Sequence, residues 1–224
     1  SVFGIDDLNT YYDVNLKKSR LKILKKYKNF LFFKKKIEDK TIVNFFKKKK
    51  IDIIINLAAQ AGVRHSLENP YVYINSNVLG QVNMLELAKE LKIPVLTPSQ
   101  VNRMGARDSI IEGDKAAGSY DKMMVADLCL SLSRQKEDKV LGTGRVHVMK
   151  NRYGMDGMTY NVKMDTNNGH ISFEGKANPD ELLDNLIIFK ANDSFESPIF
   201  HLTLLSLSLC LDISNKPKLL ILPT

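Results

Sequence analysis

Residues 51–59, IDIIINLAA, form a nearly unbroken apolar, β-branched run. A strand without polar alternation is covered on both faces, which is the condition of an interior strand in a parallel sheet flanked by helices. The neighbouring sequence agrees with that reading. SVFGID (1–6) is apolar and β-prone and ends on acidic residues, residues 14–28 space Leu16, Leu21 and Leu24 helically, and NFLFF (29–33) reads as a strand. TIVNFFKKKK (41–50) reads as a short helix whose basic end suits the negative pole of its dipole. Pro70 opens a helix that runs to about Leu91, with Val78, Val82, Leu85 and Ala88 in helical period, and PVLTPS (94–99) is a further strand. Strand–helix alternation at this spacing predicts an α/β fold with a parallel, doubly wound sheet.

Beyond residue 100 the texture changes. Residues 102–122 are polar and glycine-bearing and read as a long loop with one helical turn. MMVADLCLSLSR (123–134) reads as a strand or buried segment, RVHVMKNR (145–152) alternates as a strand does, and MTYNVKMDTNNGHISFEG (158–175) reads as a hairpin turning at NNG. After about residue 186 the chain is rich in Leu, Ser and Ile without clear period.

Composition narrows the class. With 224 residues, 44% hydrophobic and 26% charged, the chain suits one globular domain or two small ones. The two thiols, Cys129 and Cys210, sit in no CxxC or Cys/His cluster, which argues against a cysteine zinc site or a disulfide framework; no metal site is expected. The opening SVFGID does not read as a signal peptide, and the longest apolar stretch, 199–211, falls short of the roughly 20 residues a membrane helix needs. The expectation is a cytoplasmic protein without membrane contact. Residues 17–50 hold 15 Lys or Arg against Glu38 and Asp39. Such a block is either a solvated lysine face or a basic anion-binding module.

Two segments stand out, GIDDLNTYYD (4–13) and NLAAQAGVRHSLENP (56–70). In a dinucleotide fold an acid at the tip of the second strand accepts hydrogen bonds from the adenosine ribose, and Asp6 is placed for that. Small residues after the fourth strand, here Ala58 and Ala59, let a ribose or nicotinamide approach the backbone. Together with YxxxNxxG (73–80), these segments make residues 1–93 resemble the NAD-dependent epimerase/dehydratase family, nearest to epimerases acting on UDP-glucuronate. The resemblance implies NAD as cofactor and a nucleotide sugar as substrate. It places Asp6 and Asn9 on the adenosine side of NAD and Ala58, Ala59 and Gln60 on the path to the nicotinamide. Asn77 would support the cofactor from the following helix, and Arg64 and Ser66 would face the sugar nucleotide. No catalytic residue is identified, because the family's Tyr-x-x-x-Lys pair does not occur: Tyr120 precedes Lys122 and Tyr160 precedes Lys163. The family's GxxGxxG phosphate turn does not occur either, and Lys36 stands where the family usually carries an acid. The chain reads as starting at the fold's second strand, so either the central strand position is empty, exposing two sheet edges, or strands of the second piece, read as parallel α/β too, partly complete the sheet. The expected product is a partial Rossmann-type domain that is not catalytically competent alone.

A second series comprises TPSQVNRMGA (97–106), EGDKAAGSYDK (112–122), LSLSR (130–134) and MKNRYGMDG (149–157). Gln100 read alone is a polar strand terminus, and Lys150–Arg152 a surface charge cluster. As a series, residues 95–176 resemble the C-terminal part of a DnaB-like replicative helicase, a partial RecA-like segment using ATP and Mg²⁺. That likeness makes Gln100 a nucleotide sensor, Lys150 and Arg152 trans-acting phosphate contacts, and Arg103, Arg107 and Lys115 part of a loop tracking single-stranded DNA. No phosphate loop GxxxxGK[ST] accompanies it. The two likenesses meet within LAKELKIPVLTPS (87–99), giving expected segments 1–93, 94–180 and an unassigned tail, 181–224, that reads as an out-of-frame or unselected extension, or else as a membrane-surface or partner helix.

Overall fold

The computed structural model describes residues 1–99, 110, 120–166, 170–174 and 219–222. Contacts divide the chain into two units, residues 1–95 with 213–224, and residues 96–212.

The first unit opens with β1 (Val2–Asp6), α1 (Val14–Leu24), β2 (Phe30–Lys34), α2 (Thr41–Lys47) and β3 (Ile53–Asn56). Then follow α3 (Val63–Glu68), α4 (Pro70–Tyr73), a π-helical stretch (Ile74–Leu79), α5 (Gly80–Leu91) and β4 (Val95–Leu96). Asp13 caps α1 by accepting from the Asn15 N–H, and α5 ends at Lys92 in the left-handed conformation. The helices α2 and α5 pack on each other and on the sheet. Between them Ile42, Phe46, Ile54, Met84 and Leu87 are fully buried. Removing each such side chain from water contributes about 1.5–3 kcal/mol. Phe3, Phe33, Phe45 and Phe46 meet edge-on or tilted, with centroids 4.8–6.4 Å apart. Gly80 lets α5 approach this layer, since a Cβ there would enter the Ile37 side chain.

The strand order is β2-β1-β9-β3-β4, where β9 is Leu219–Leu222 from the far end of the chain. β1 pairs in parallel with β2, from Val2↔Phe30 to Asp6↔Lys34. β9 runs parallel to both its neighbours, with Val2↔Leu219 to Gly4↔Ile221 on one side and Ile53↔Leu219 to Asn56↔Leu222 on the other. The parallel sheet expected from the sequence is present, but its central position is not empty. Four residues of the tail complete the ladder between β1 and β3, so neither strand presents a free edge there.

The described strands of the second unit do not continue the parallel sheet and show no parallel RecA-like core. After α6 (Tyr120–Val125) come β5 (Leu128–Ser133), α7 (Lys136–Leu141), β6 (Thr143–Asn151), β7 (Thr159–Asp165) and β8 (His170–Glu174). These four strands form an antiparallel meander in chain order. The reason is connection length. A parallel pair needs a crossover of a dozen or more residues, and the links between these strands are shorter. Leu128, Leu130, Leu132, Val146, Val148 and Val162 form its own core. The short helix α7 is held by a reciprocal cap, the Gln135 N–H donating to Asp138 Oδ2 at 2.7 Å, and ends at Gly142 with φ +67°.

Candidate functional site

At the C-terminal edge of the parallel sheet the chain leaves β1 and β3 in two loops that face each other. The first loop folds on its own side chains. Asp6 accepts the Leu8 N–H at 2.5 Å, Asp7 the Asn9 N–H at 2.9 Å, and Asn9 the Tyr11 N–H at 3.2 Å. Such Asx turns satisfy backbone donors locally and suit Leu8, whose φ is +53°. Lys17, on the first turns of α1, reaches back to this loop. Its Nζ donates to Asn9 Oδ1 at 3.2 Å and lies 3.9 Å from Asp6 Oδ1, with the side chain only 14% exposed.

The second loop is fixed from the helix that follows. Asn56, buried at the end of β3, accepts the Ala58 N–H at 3.2 Å and donates to Gln81 Oε1 at 2.6 Å. The Gln60 N–H donates to Asn77 Oδ1 at 2.7 Å, and Asn77 Nδ2 returns a bond to the Gln60 carbonyl at 3.1 Å. Tyr73 Oη donates to the carbonyls of Ala61 and Gly62. Burial and the adjacent Tyr11 push the Tyr73 phenol above the usual tyrosine range, so it is held as a neutral donor.

The two loops line a small cleft, open to solvent, of about 60 Å³. Asp6, Asn9, Ala58, Ala59 and Gln60 all line it, so the geometry gathers the two sequence segments, 50 residues apart, onto one wall system. Asn77 acts from behind, through both backbone groups of Gln60. Arg64 and Ser66 lie on α3, outside the lining; Arg64 is exposed, and Ser66 Oγ donates to the Val63 carbonyl at 2.6 Å. Lys17, Lys35, Lys36 and Ser76 also line the cleft and were not singled out as cofactor contacts from the sequence. The helical phase of Lys17, one turn after the Asp13 cap, was the signal that could have marked it.

Several lysines of the basic block have partners within the chain. Lys36 pairs with Glu38 at 3.8 Å and Lys47 with Glu90, while Lys35 sits 4.4 Å above the Phe45 ring, and Lys49 lies over Phe33 and Phe45. Of the helicase-like residues, Gln100, Arg103, Arg107 and Lys115 lie outside the described residues. Lys150 donates to the carbonyls of Met123 and Met124 at the end of α6, and Arg152 pairs with buried Asp127 at 2.8 Å. Both cations thus neutralise a helix terminus and a buried acid of their own unit. Among the described residues no helix is long and apolar enough to cross a membrane.

Residues 1–101 match the family model described as GDP-mannose 4,6 dehydratase. The chain is 36% identical over 156 residues to an uncharacterized protein of Methanocaldococcus jannaschii, covering 69% of this chain and 45% of that protein. It is 43% identical over 110 residues to the UDP-glucuronate 4-epimerase of Thermodesulfobacterium geofontis, covering 49% of this chain and 34% of that enzyme. Among solved structures, a UDP-glucuronic acid 4-epimerase mutant from Bacillus cereus aligns at 24% identity and TM-score 0.43, over 50% of this chain and 36% of that one. The chain thus spans less than half the length of these relatives. The M. jannaschii alignment is longer than residues 1–93 can hold, so the likeness runs past Pro94, where the motifs placed its end. Over residues 1–101 the chain is thus similar to the GDP-mannose 4,6 dehydratase family model, and over 110 residues to a UDP-glucuronate 4-epimerase.

Proposed function

We propose that the first unit is the cofactor-binding part of an NAD-dependent epimerase or dehydratase acting on a nucleotide sugar, of the UDP-glucuronate 4-epimerase kind. One observation carries the reading. The ends of β1 and β3, which bear the family's two motifs, line a single cleft at the carboxyl edge of a parallel sheet, where open α/β folds take their ligands.

The donor set fits the adenosine half of NAD. Asp6 offers a carboxylate to a ribose diol, and Asn9 supplies a second polar group from the same loop. Lys17 keeps both in place and offsets the acid's charge. Ala58 and Ala59 leave the second wall without bulk, so a flat or sugar ring can approach the backbone. Asn77 fixes the backbone of Gln60, and the Gln60 side chain donates to the Ala61 carbonyl at 3.3 Å. Bound NAD would supply hydride acceptance and return; the residues named here bind and orient it. The Tyr-x-x-x-Lys pair that moves the proton in this family is not in the sequence, so we infer binding without turnover by this chain.

The test is thermal unfolding and titration calorimetry with NAD. At a hundred times the dissociation constant, binding to the folded state alone adds about 2.7 kcal/mol of stability. The transition should rise with NAD for the wild type and not for Asp6→Ala, with both chains showing the same circular dichroism. No shift for the wild type at saturating NAD would overturn the reading.

A further inference from the structure

The cleft's two walls are held apart by a strand that arrives from a distance. β9 has four residues, and 44 residues separate it from the end of β8. Its last partner on β1 is Gly4, two residues before Asp6, and its last partner on β3 is Asn56, two residues before Ala58. With β9 between them, β1 and β3 lie roughly 9.5 Å apart, twice the spacing of neighbouring strands. Without it, each strand has an unpaired edge and nothing sets the distance between the loops bearing Asp6 and Gln60.

The sequence of β9 is that of a short, self-contained insert. LLIL has the continuous apolar character of a strand covered on both faces, and it is followed directly by Pro223, with Lys218 and then Pro217 before it. Proline has no N–H to give a ladder, so Pro223 does not extend the pairing past Leu222.

We propose that Leu219–Leu222 is a detachable internal strand, that the slot between β1 and β3 accepts a short apolar strand in parallel, and that occupancy of this slot sets the width of the cleft. Recognition is by backbone ladders on both sides, the chemistry by which sheets accept extended peptides. The same slot takes such a strand supplied in trans. This inference concerns the sheet and stands whether or not the cleft binds NAD.

Hydrogen exchange measured by mass spectrometry on the full chain tests it. Leu220→Pro removes a ladder donor; Leu220→Val keeps it. Exchange in 2–6 and 53–56 should accelerate at least ~10-fold in Leu220→Pro, as for a cooperative unit opened locally, while 128–133 is unchanged. Leu220→Val should match the wild type, and the synthetic peptide KPKLLILPT (216–224) at millimolar concentration should restore protection to Leu220→Pro. Unchanged exchange in 2–6 and 53–56, equal acceleration in 128–133, or no rescue by the peptide would each overturn the proposal. Should Leu220→Pro not accumulate, the labelled peptide is titrated into the wild type. Saturable binding competed by unlabelled peptide supports the slot, and absence of binding overturns it.

Discussion

Gly62 sits at φ +101°, a conformation that costs a residue with a Cβ, and a Cβ there would run into Tyr11 Oη. Tyr73 holds the same peptide through its carbonyl. Gly62→Ala should therefore destabilise the first unit by about 1–3 kcal/mol in urea unfolding, part from backbone strain and part from the hydroxyl. Tyr11→Phe removes only the hydroxyl, so the double variant should recover the steric part and leave the backbone part; strictly additive losses would show that Tyr11 does not meet this loop. Asp138 shows a second residue-scale balance. The Gln135 N–H, then Thr143 and Arg145, hold its carboxyl below the ordinary aspartate value of 3.8, outweighing burial. A lowered folded value means that its stabilisation is full above the unfolded pKa and is lost as pH falls through the folded one. The second unit should lose stability on acidification below about pH 4, and Asp138→Asn, costing about 2 kcal/mol at pH 7, should flatten that dependence in denaturant titrations.

Elements differ in how plainly the sequence announces them. Strands β1, β2 and β3 and the helix leading to Leu91 follow from apolar runs and period, because each packs a continuous face into one core. The stretch 70–91 nevertheless is not uniform helix: Ile74–Leu79 widens to π-helix, and that segment carries Ser76, on the cleft, and Asn77, on Gln60. Hydrophobic period cannot report such a shift, since the outward residues of the segment carry no packing pattern. α7 escaped for a related reason. Val140 and Leu141 are 87% and 72% exposed, so no apolar stripe marks it, and only the Gln135–Asp138 cap and Gly142 betray it. β9 was concealed by its setting rather than its residues. Four apolar residues ending at a proline are a buried-strand signature, but nothing local to 217–223 says which sheet receives them. Pairing across the whole chain is a tertiary fact. The site shows the same division: its acids and small residues were legible as motifs, whereas Lys17 entered only through the fold of the Asp6–Asn9 loop.

At the level of the molecule, the two units have separate cores. The cluster around Phe46 and the cluster around Val162 share no residue, and both side chains are fully buried. One is a parallel sheet closed by helices, the other a local meander whose strands follow one another along the chain. The first depends on a contact between the two ends of the sequence, between β1 and β9, whereas the second forms from contacts within about fifty residues. Local pairing is entropically cheap and fast, and end-to-end pairing is neither, so the meander should form first and the parallel sheet last. Phe46→Ala should cost about 3–5 kcal/mol and Val162→Ala about 2 kcal/mol, each in its own core. Pulse-labelled hydrogen exchange during refolding separates the two contributions. Phe46→Ala should delay or abolish protection in 2–6 and 53–56 while 128–133 gains protection at the wild-type rate, and Val162→Ala should do the reverse. If either substitution slowed both regions equally, the chain would be folding as one cooperative body, and a single unfolding free energy would describe it.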